Sequence, residues 1–498
     1  MKVLLVYPKI PETFWSFSYV LSFMRRKATM PPLGLLTVAG MVPGSWELRL
    51  KDLNITNLKD SDLEWADMVF ISAMIIQREG TEEVIRRAKT LGTTTVAGGP
   101  LFSIMADEFD DVDHLILGEA EETFPQFLSD LDKGTPARVY EPVSMPDVSE
   151  TPLPRWDLIG RLKDYNSMPV QFSRGCPFDC EFCDITTLYG RKPRTKSPSQ
   201  MLEEMNYLYE IGWRGSLFVV DDNFIGNKKA AKTFLKDLAE WSKERQYPFQ
   251  FFTEASVNLA DDQELMDLMT AAGFNCVFLG IETPVEESLA ECGKTQNQKR
   301  DLIEAVQTIQ KNGLQVQGGF IVGFDNDPPD IFDQQINFIQ ESGIVTAMVG
   351  LLSAIPGTRL YQRLQKEDRI IDTDSIGNNC DNDALNFIPA MDRETLLSGY
   401  GRLVKTIYEP RAYYERVRVF LANYNPKKKG GQFQLIQIYA FFMALWHLGI
   451  KDNTSTKRLF WRLIFHTLRS KPKLLAHAVV FSVYGLHFRR VLTESTEK

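Results

Sequence analysis

The chain has 498 residues, 44% hydrophobic and 24% charged, with a formal net charge of −9. That balance fits a globular protein of several domains and excludes a disordered or fibrous one; its sign argues against nucleic acid as a partner. Six cysteines in so long a chain are too sparse for a disulfide scaffold, yet three fall within eight residues, as expected of a metal or cluster site in a reducing, cytoplasmic compartment.

Met1 and Lys2 lead directly into an apolar run at 3–7 and then Pro8, without a small-residue cleavage site, so no signal peptide is expected. Further apolar runs at 48–53, 68–73, 94–97 and 114–117 alternate with helical stretches. Strands apolar on both faces, separated by helices, predict an α/β fold: a doubly wound parallel sheet with helices on each side. Ligands of such sheets gather at the carboxyl ends of the strands. Those ends carry Asp52, Asn54, Ser72, Gly98, Gly99, Gly118 and Glu119. The proline-rich stretch 142–156 reads as a linker.

A second alternating series follows, with strands at 170–173, 216–220, 250–253, 277–281, 316–322 and 348–352. Helical patterns between them cover 199–211, 228–245, 261–272, 287–311 and 329–342, with Ser199 and Asp261 as candidate N-caps. Six βα units predict a parallel barrel or partial barrel whose chemistry lies at the carboxyl ends of its strands. Beyond about 365 the pattern turns irregular and then helical. The expected division is therefore 1–145, a linker over 146–165, a barrel over 166–365 and a basic helical extension over 366–498.

Directly after the first barrel strand stands Ser173-Arg174-Gly175-Cys176-Pro177-Phe178-Asp179-Cys180-Glu181-Phe182-Cys183, a C-x3-C-x2-C spacing. Three thiolates on one short loop can hold three irons of a [4Fe–4S] cluster and leave the fourth for another ligand. A structural zinc would want a fourth Cys or His nearby, and the nearest histidine is His114. The motif, with Phe182 just before its third cysteine and six βα units behind it, resembles the radical SAM superfamily. That resemblance implies a [4Fe–4S] cluster on Cys176, Cys180 and Cys183 whose free iron chelates S-adenosylmethionine (SAM). Reductive cleavage of SAM, driven by an external donor such as flavodoxin or ferredoxin, then gives a 5′-deoxyadenosyl radical. It also implies SAM contacts from Phe182, from Asp221, Asp222 and Asn223, from Glu254 and Ser256, and from Gly319 and Gly323. Bland readings stand beside these: helix caps for Asp221 and Asp222, a buried ion pair for Glu254, close packing for the glycines.

A doubly wound domain ahead of such a barrel is similar to the cobalamin-binding class of that superfamily, and the glycine turns at 96–100 and 118–123 resemble its turns. The resemblance implies cobalamin at Asp52, Asn54, Ser72, Gly98, Gly99, Gly118 and Glu119. The class's Asp-x-His-x-x-Gly motif reads here Asp52-Leu53-Asn54-Ile55-Thr56-Asn57, so Asn54 stands where the cobalt-ligating histidine would. The stretch 174–227, with Glu282-Thr283-Pro284 and Pro356-Gly357-Thr358, resembles a subgroup with a helical C-terminal extension that includes enzymes methylating hopanoid lipids and chlorophyll-type pigments. The implied activity is methyl transfer to an unactivated carbon of a hydrophobic small molecule. Two rivals remain: a radical SAM ring-former, C–C coupler or oxidoreductase with a vestigial N-terminal domain, and a non-catalytic iron–sulfur protein.

The tail carries its own signal. Residues 427–498 hold 13 Lys/Arg against 3 Asp/Glu, and 430–450 contains no formal charge. Gln432, Gln434, Gln437 and His447 argue against a membrane span. Aromatics flanked by Lys and Arg suit an interfacial segment, so peripheral membrane contact through 427–498 is expected alongside the alternative of a soluble helical subdomain.

Overall fold

A computed structural model describes residues 1–13, 16–371, 385–427, 435–451 and 455–497. The first sheet is wholly parallel, with strands β1 (Lys2–Tyr7), β2 (Glu47–Asp52), β3 (Met68–Ser72), β4 (Thr94–Gly98), β5 (His114–Ile116) and β6 (Val139–Tyr140) in the order β2-β1-β3-β4-β5-β6. Side chains alternate between its faces. Leu4, Val6, Val69 and Ile71 feed one apolar layer. Val3, Leu5, Met68 and Phe70 feed the other. Period-two alternation with both faces apolar is what a sheet covered on both sides demands.

The stretch expected to link the domains is packed rather than loose. Three short 3-10 turns, Val148–Glu150, Trp156–Leu158 and Leu162–Asp164, carry it across the surface, and Trp156 and Tyr165 are fully buried.

The second sheet contains β7 (Ser167–Val170), β10 (Ser216–Val219), β11 (Gln250–Ala255), β12 (Phe274–Glu282), β13 (Gln315–Val322) and β14 (Ala347–Leu351), each parallel to the next in chain order. β7 and β14 form its two edges, so the barrel is partial. Its outer face is apolar against the helices: Phe251 and Ala255 on β11, Val316, Phe320 and Val322 on β13. Inward positions are half-buried, among them Phe218, Phe252, Glu254, Phe278 and Gly319, and Phe218 stacks flat on Phe252 at 4.5 Å. A separate antiparallel ribbon, β8 (Ser173–Arg174) with β9 (Arg194–Thr195), closes the base of the cysteine loop.

Three sequence readings need correction. The helix at 198–210 is capped by Ser197, whose hydroxyl accepts from the Gln200 N–H, not by Ser199. Helix 263–272 is capped by Asp262, not Asp261. The single helix expected over 287–311 is two, Glu286–Glu291 and Leu302–Lys311, divided at Gly293 in a left-handed conformation. A helix cannot continue through that residue, and the intervening turn is delivered to the barrel mouth.

Beyond the barrel, helices Arg393–Tyr408 and Pro410–Asn423 pack on the Ile331–Ser342 helix. A fully buried Arg416 donates to Gln340 and to the carbonyls of Ile407 and Val345. The run 427–431, Lys-Lys-Lys-Gly-Gly, which reads in sequence as a hinge, lies apart from Lys427 outside the described residues, as does Cys380. No helix among the described residues is long and apolar enough to cross a membrane.

Candidate active site at the barrel mouth

The cysteine loop leaves β8 through Gly175, whose φ of +90° no ordinary side chain adopts comfortably. A Cβ there would meet the carbonyl oxygens of Gly190 and Tyr189 at 2.9 Å. The loop is tied down on every side. The Cys176 N–H donates to Gly190, the Glu181 N–H to Cys292, and the Leu360 N–H to the Glu181 carbonyl. Arg359 reaches the Asp179 carbonyl at 2.7 Å, and Arg363 pairs with the Glu181 carboxylate at 2.8 Å.

Cys176, Cys180 and Cys183 are all free thiols. Each faces hydrogen-bond donors: Phe178 N–H and Asn223 Nδ2 for Cys176, Gln296 Nε2 for Cys180, Ile185 N–H for Cys183. Burial raises all three thiols, while Lys294 pulls the other way as a nearby cation. Among the described residues no group of three His, Cys, Asp or Glu could hold a single metal ion. Three thiols on one short loop, met by backbone and amide donors and by the Lys294–Glu282 pair, suit a polynuclear cluster better than a zinc ion, which would want a fourth Cys or His.

Lys294, Gln296 and Asn297 were not found by reading the sequence. They lie in the turn that splits the expected 287–311 helix. Lys294 binds the Glu282 carboxylate at 2.5 Å and sits 5.9 Å from the Phe182 ring centroid. Glu282 adopts φ +64°, unusual for a side-chain-bearing residue. A Cβ at Gly280 would collide with both partners of this ion pair. The signal available was the polar run Lys294–Asn297 after a Cys-Gly pair, in the middle of a pattern otherwise suited to a helix.

The second-strand residues divide their labour. Asp221 is spent on the loop's entry: it accepts from the Phe172 N–H at 2.7 Å and the Ser173 hydroxyl at 2.6 Å, and burial pushes it up to about 7. Asp222 is raised to about 6 by burial, and its buried Oδ2 has no hydrogen-bond partner. Asn223 and Ser256 bond each other, and Ser256 also donates to Asn258 at 2.7 Å. Glu254 points into the barrel and is pushed up to about 7 by burial, with Asp222 adding to the shift. Gln296 Oε1 and Asn297 Oδ1 are likewise buried without a partner. Buried polar atoms left unpaired cost stability and call for a ligand. Gly319 lies against the Phe278 ring, and the Gly323 N–H donates to Asp327.

The first sheet's carboxyl edge is different. Asp52 accepts from the Asn54 backbone and side chain at 2.9 and 2.7 Å and from the Tyr165 hydroxyl at 2.9 Å. Asn54 Oδ1 in turn accepts from the Ile10 N–H. Gly98 faces the Ile116 carbonyl, Gly99 the Ser72 hydroxyl and Gly118 the Pro142 ring, each too closely to admit a Cβ. His114 stands at the amino end of β5, its Nδ1 2.6 Å from the Ala137 carbonyl. No imidazole therefore reaches this edge among the described residues of the first domain.

Glu119 joins the two sites. Its carboxylate pairs with Arg174 at 2.6 Å and Arg194 at 2.5 Å, while Glu121 pairs with Arg174 at 2.7 Å. All four side chains are nearly buried. Arg174 and Arg194 face each other across the ribbon that closes the cysteine loop. The carboxyl edge of the first sheet is thus clamped to the loop that carries the thiols.

Comparison with known proteins agrees with this geometry. Residues 170–339 match the model of the radical SAM superfamily, 23–128 a B12 binding domain, and 358–498 a domain of unknown function (DUF4070). An uncharacterised methyltransferase of Synechocystis is 45% identical over 98% of this chain and 91% of its own length. The hopanoid C-2 methylase of Rhodopseudomonas palustris is 33% identical over 94% and 89%. The chain belongs to the cobalamin class of radical SAM methyltransferases. It is a radical SAM enzyme, and its cofactors are a [4Fe–4S] cluster, SAM and cobalamin. The fold is shared with the methyltransferase TsrM of Kitasatospora setae, solved with cobalamin and a [4Fe–4S] cluster, at a TM-score of 0.63 and 14% identity over 96% of this chain and 98% of that one.

Proposed function

We infer that the enzyme transfers a methyl group to an unactivated carbon of a hydrophobic, lipid-like or polycyclic substrate. The observation that carries this reading is the Glu119/Glu121–Arg174/Arg194 clamp, which sets the cobalamin domain's carboxyl edge beside the cysteine loop. When bound, the cluster and one SAM would supply a hydrogen-abstracting radical and cobalamin would relay a methyl group from a second SAM, with electrons from a donor such as flavodoxin or ferredoxin. On this reading Cys176, Cys180 and Cys183 hold the cluster, and Lys294 offsets the negative charge their thiolates bring. Asp222, Asn223, Glu254 and Ser256 orient SAM, with Phe182 beside it. Glu282 holds Lys294 in place. Phe218, Phe252 and Phe278 line the barrel and keep water from the reacting centre.

The hopanoid methylase among its relatives supports a polycyclic lipid as the substrate class. Peripheral contact with a membrane through residues 427–498 would bring a cytoplasmic enzyme to such a molecule, though methyl transfer does not depend on it. The test is anaerobic reconstitution with iron, sulfide, SAM, hydroxocobalamin and a pentacyclic hydrocarbon. The expected product is heavier by one CH₂ unit and appears together with 5′-deoxyadenosine. Formation of 5′-deoxyadenosine without the added CH₂ would assign the enzyme to ring-forming, coupling or redox chemistry instead.

A further inference from the structure

The C-terminal helices bury one face and leave the other exposed among the described residues. Leu448, Phe460, Leu463, Phe481 and Phe488 are packed into the core shared with the barrel. On the opposite side of Leu435–Ala444 and the Leu445–Lys451 π-helical segment that follows it, Phe442, Trp446 and Ile450 recur every fourth residue. They are 63%, 54% and 54% exposed. Such spacing places them in one stripe. The next helix, Ser455–Ser470, shows solvent a second stripe of Arg458, Arg462, Phe465 and Arg469, with Phe465 63% exposed.

The two stripes adjoin. Trp461 donates its indole N–H to the Gly449 carbonyl at 3.0 Å and stacks on Phe465 at 5.6 Å. Lys457 reaches the Ile450 carbonyl at 3.2 Å. None of Arg458, Arg462 and Arg469 pairs with an acidic side chain among the described residues, although elsewhere the chain pairs most of its arginines. A large exposed aromatic patch is costly in water and marks an interaction surface. Unpaired arginines around it select an anionic partner. Tryptophan and phenylalanine flanked by arginine are the composition that settles at the boundary between lipid headgroups and acyl chains.

We propose that this face, Phe442, Trp446, Ile450 and Phe465 with Arg458, Arg462 and Arg469, seats the enzyme on an anionic lipid bilayer. The aromatic stripe enters the headgroup boundary and the arginines meet lipid phosphates. Lying in the interface requires no span, in keeping with helices too short and polar to cross. Its purpose, access to a membrane-dissolved substrate, rests on the proposed function, but the docking itself does not. Flotation can therefore fail while methyl transfer stands, and the reverse.

The experiment is flotation of the full chain with vesicles of phosphatidylcholine alone or mixed with phosphatidylglycerol, at low and high salt. The chain should float with the anionic vesicles only, and raised salt should release it. R458E/R462E/R469E should weaken binding by about 100-fold, at about a tenfold or smaller factor per charge. W446S/F465S should weaken it even at low salt. Circular dichroism and an unchanged melting temperature establish that both variants fold. Failure of the folded wild-type chain to float, or flotation of either variant as well as the wild type, overturns the proposal. So does a concentration-dependent dimer in sedimentation that W446S/F465S abolishes, since the occupant would then be a second copy.

Discussion

Two parallel sheets in this enzyme turn their carboxyl edges toward one another, and the edges are built on opposite principles. At the barrel edge polar groups are left unspent: Asp222 Oδ2, Gln296 Oε1 and Asn297 Oδ1 are buried without partners, and three thiols stand free. At the first sheet's edge they are consumed. Asp52 and Asn54 satisfy each other, Tyr165 and the backbone, while Glu119 is neutralised by two arginines. An unspent edge is prepared for ligands that replace its missing bonds. A spent edge offers a shaped surface of backbone and small residues. Asp52, Asn54, Ser72 and the glycines at 98, 99 and 118 would hold cobalamin there, and no imidazole reaches that edge among the described residues of the first domain.

The comparison can be broken most severely at the thiols. Cys180→Ala is expected to give folded protein with no stable cluster and no reductive SAM cleavage, read by absorption and chromatography. Next is the clamp. Arg174→Met strands Glu121 as a buried charge and leaves Glu119 to Arg194 alone, and chemical denaturation should show a loss of about 3–5 kcal/mol. Arg174 holds the Glu121 carboxyl down at about 2. Because the folded value is depressed, that stabilisation is present above the ordinary carboxylate range and is lost as pH falls toward about 2. Glu121→Gln should flatten this part of the acid limb.

A milder break is Asn54→Ala. It removes one of the three donors to Asp52 and the acceptor of the Ile10 N–H and should cost about 1–3 kcal/mol, yet leave hydroxocobalamin uptake intact by absorption titration. Loss of uptake in a folded variant would mean that this edge is not spent. The smallest effect belongs to Glu254. Its carboxyl is raised to about 7, so it is neutral below that pH and charged above. If the charged form holds SAM hydroxyls, affinity should weaken by up to about tenfold per unit below about 7. Glu254→Gln should make the profile flat.

The sequence made some of this legible and hid the rest for physical reasons. Apolar runs bounded by turn residues marked five of the six strands of the first sheet. The two-residue β6 was too short to carry a pattern. Five of the six barrel strands and the cysteine loop were legible because local periodicity and spacing write them directly; the first strand, expected at 170–173, lies at Ser167–Val170, and Ser173 belongs to the antiparallel ribbon. Lys294, Gln296 and Asn297 were not, because an amphipathic pattern runs through the turn that presents them, and only Gly293 interrupts it. Nor was the clamp. Glu119 and Arg174 lie 55 residues apart, and no local rule pairs a strand-end glutamate with so distant an arginine. The 142–156 segment was read as loose from its prolines, yet Trp156 and Tyr165 anchor it, a tertiary effect that composition does not record.

The account depends most directly on the three thiols gripping an iron–sulfur cluster with one iron open to SAM. The decisive measurement is quantification of 5′-deoxyadenosine after anaerobically reconstituted wild-type protein is given SAM and a strong one-electron reductant. The account predicts its formation in proportion to bound cluster and its absence in Cys180→Ala. Cluster-loaded protein that leaves SAM intact, or equal cleavage by Cys180→Ala, would contradict it.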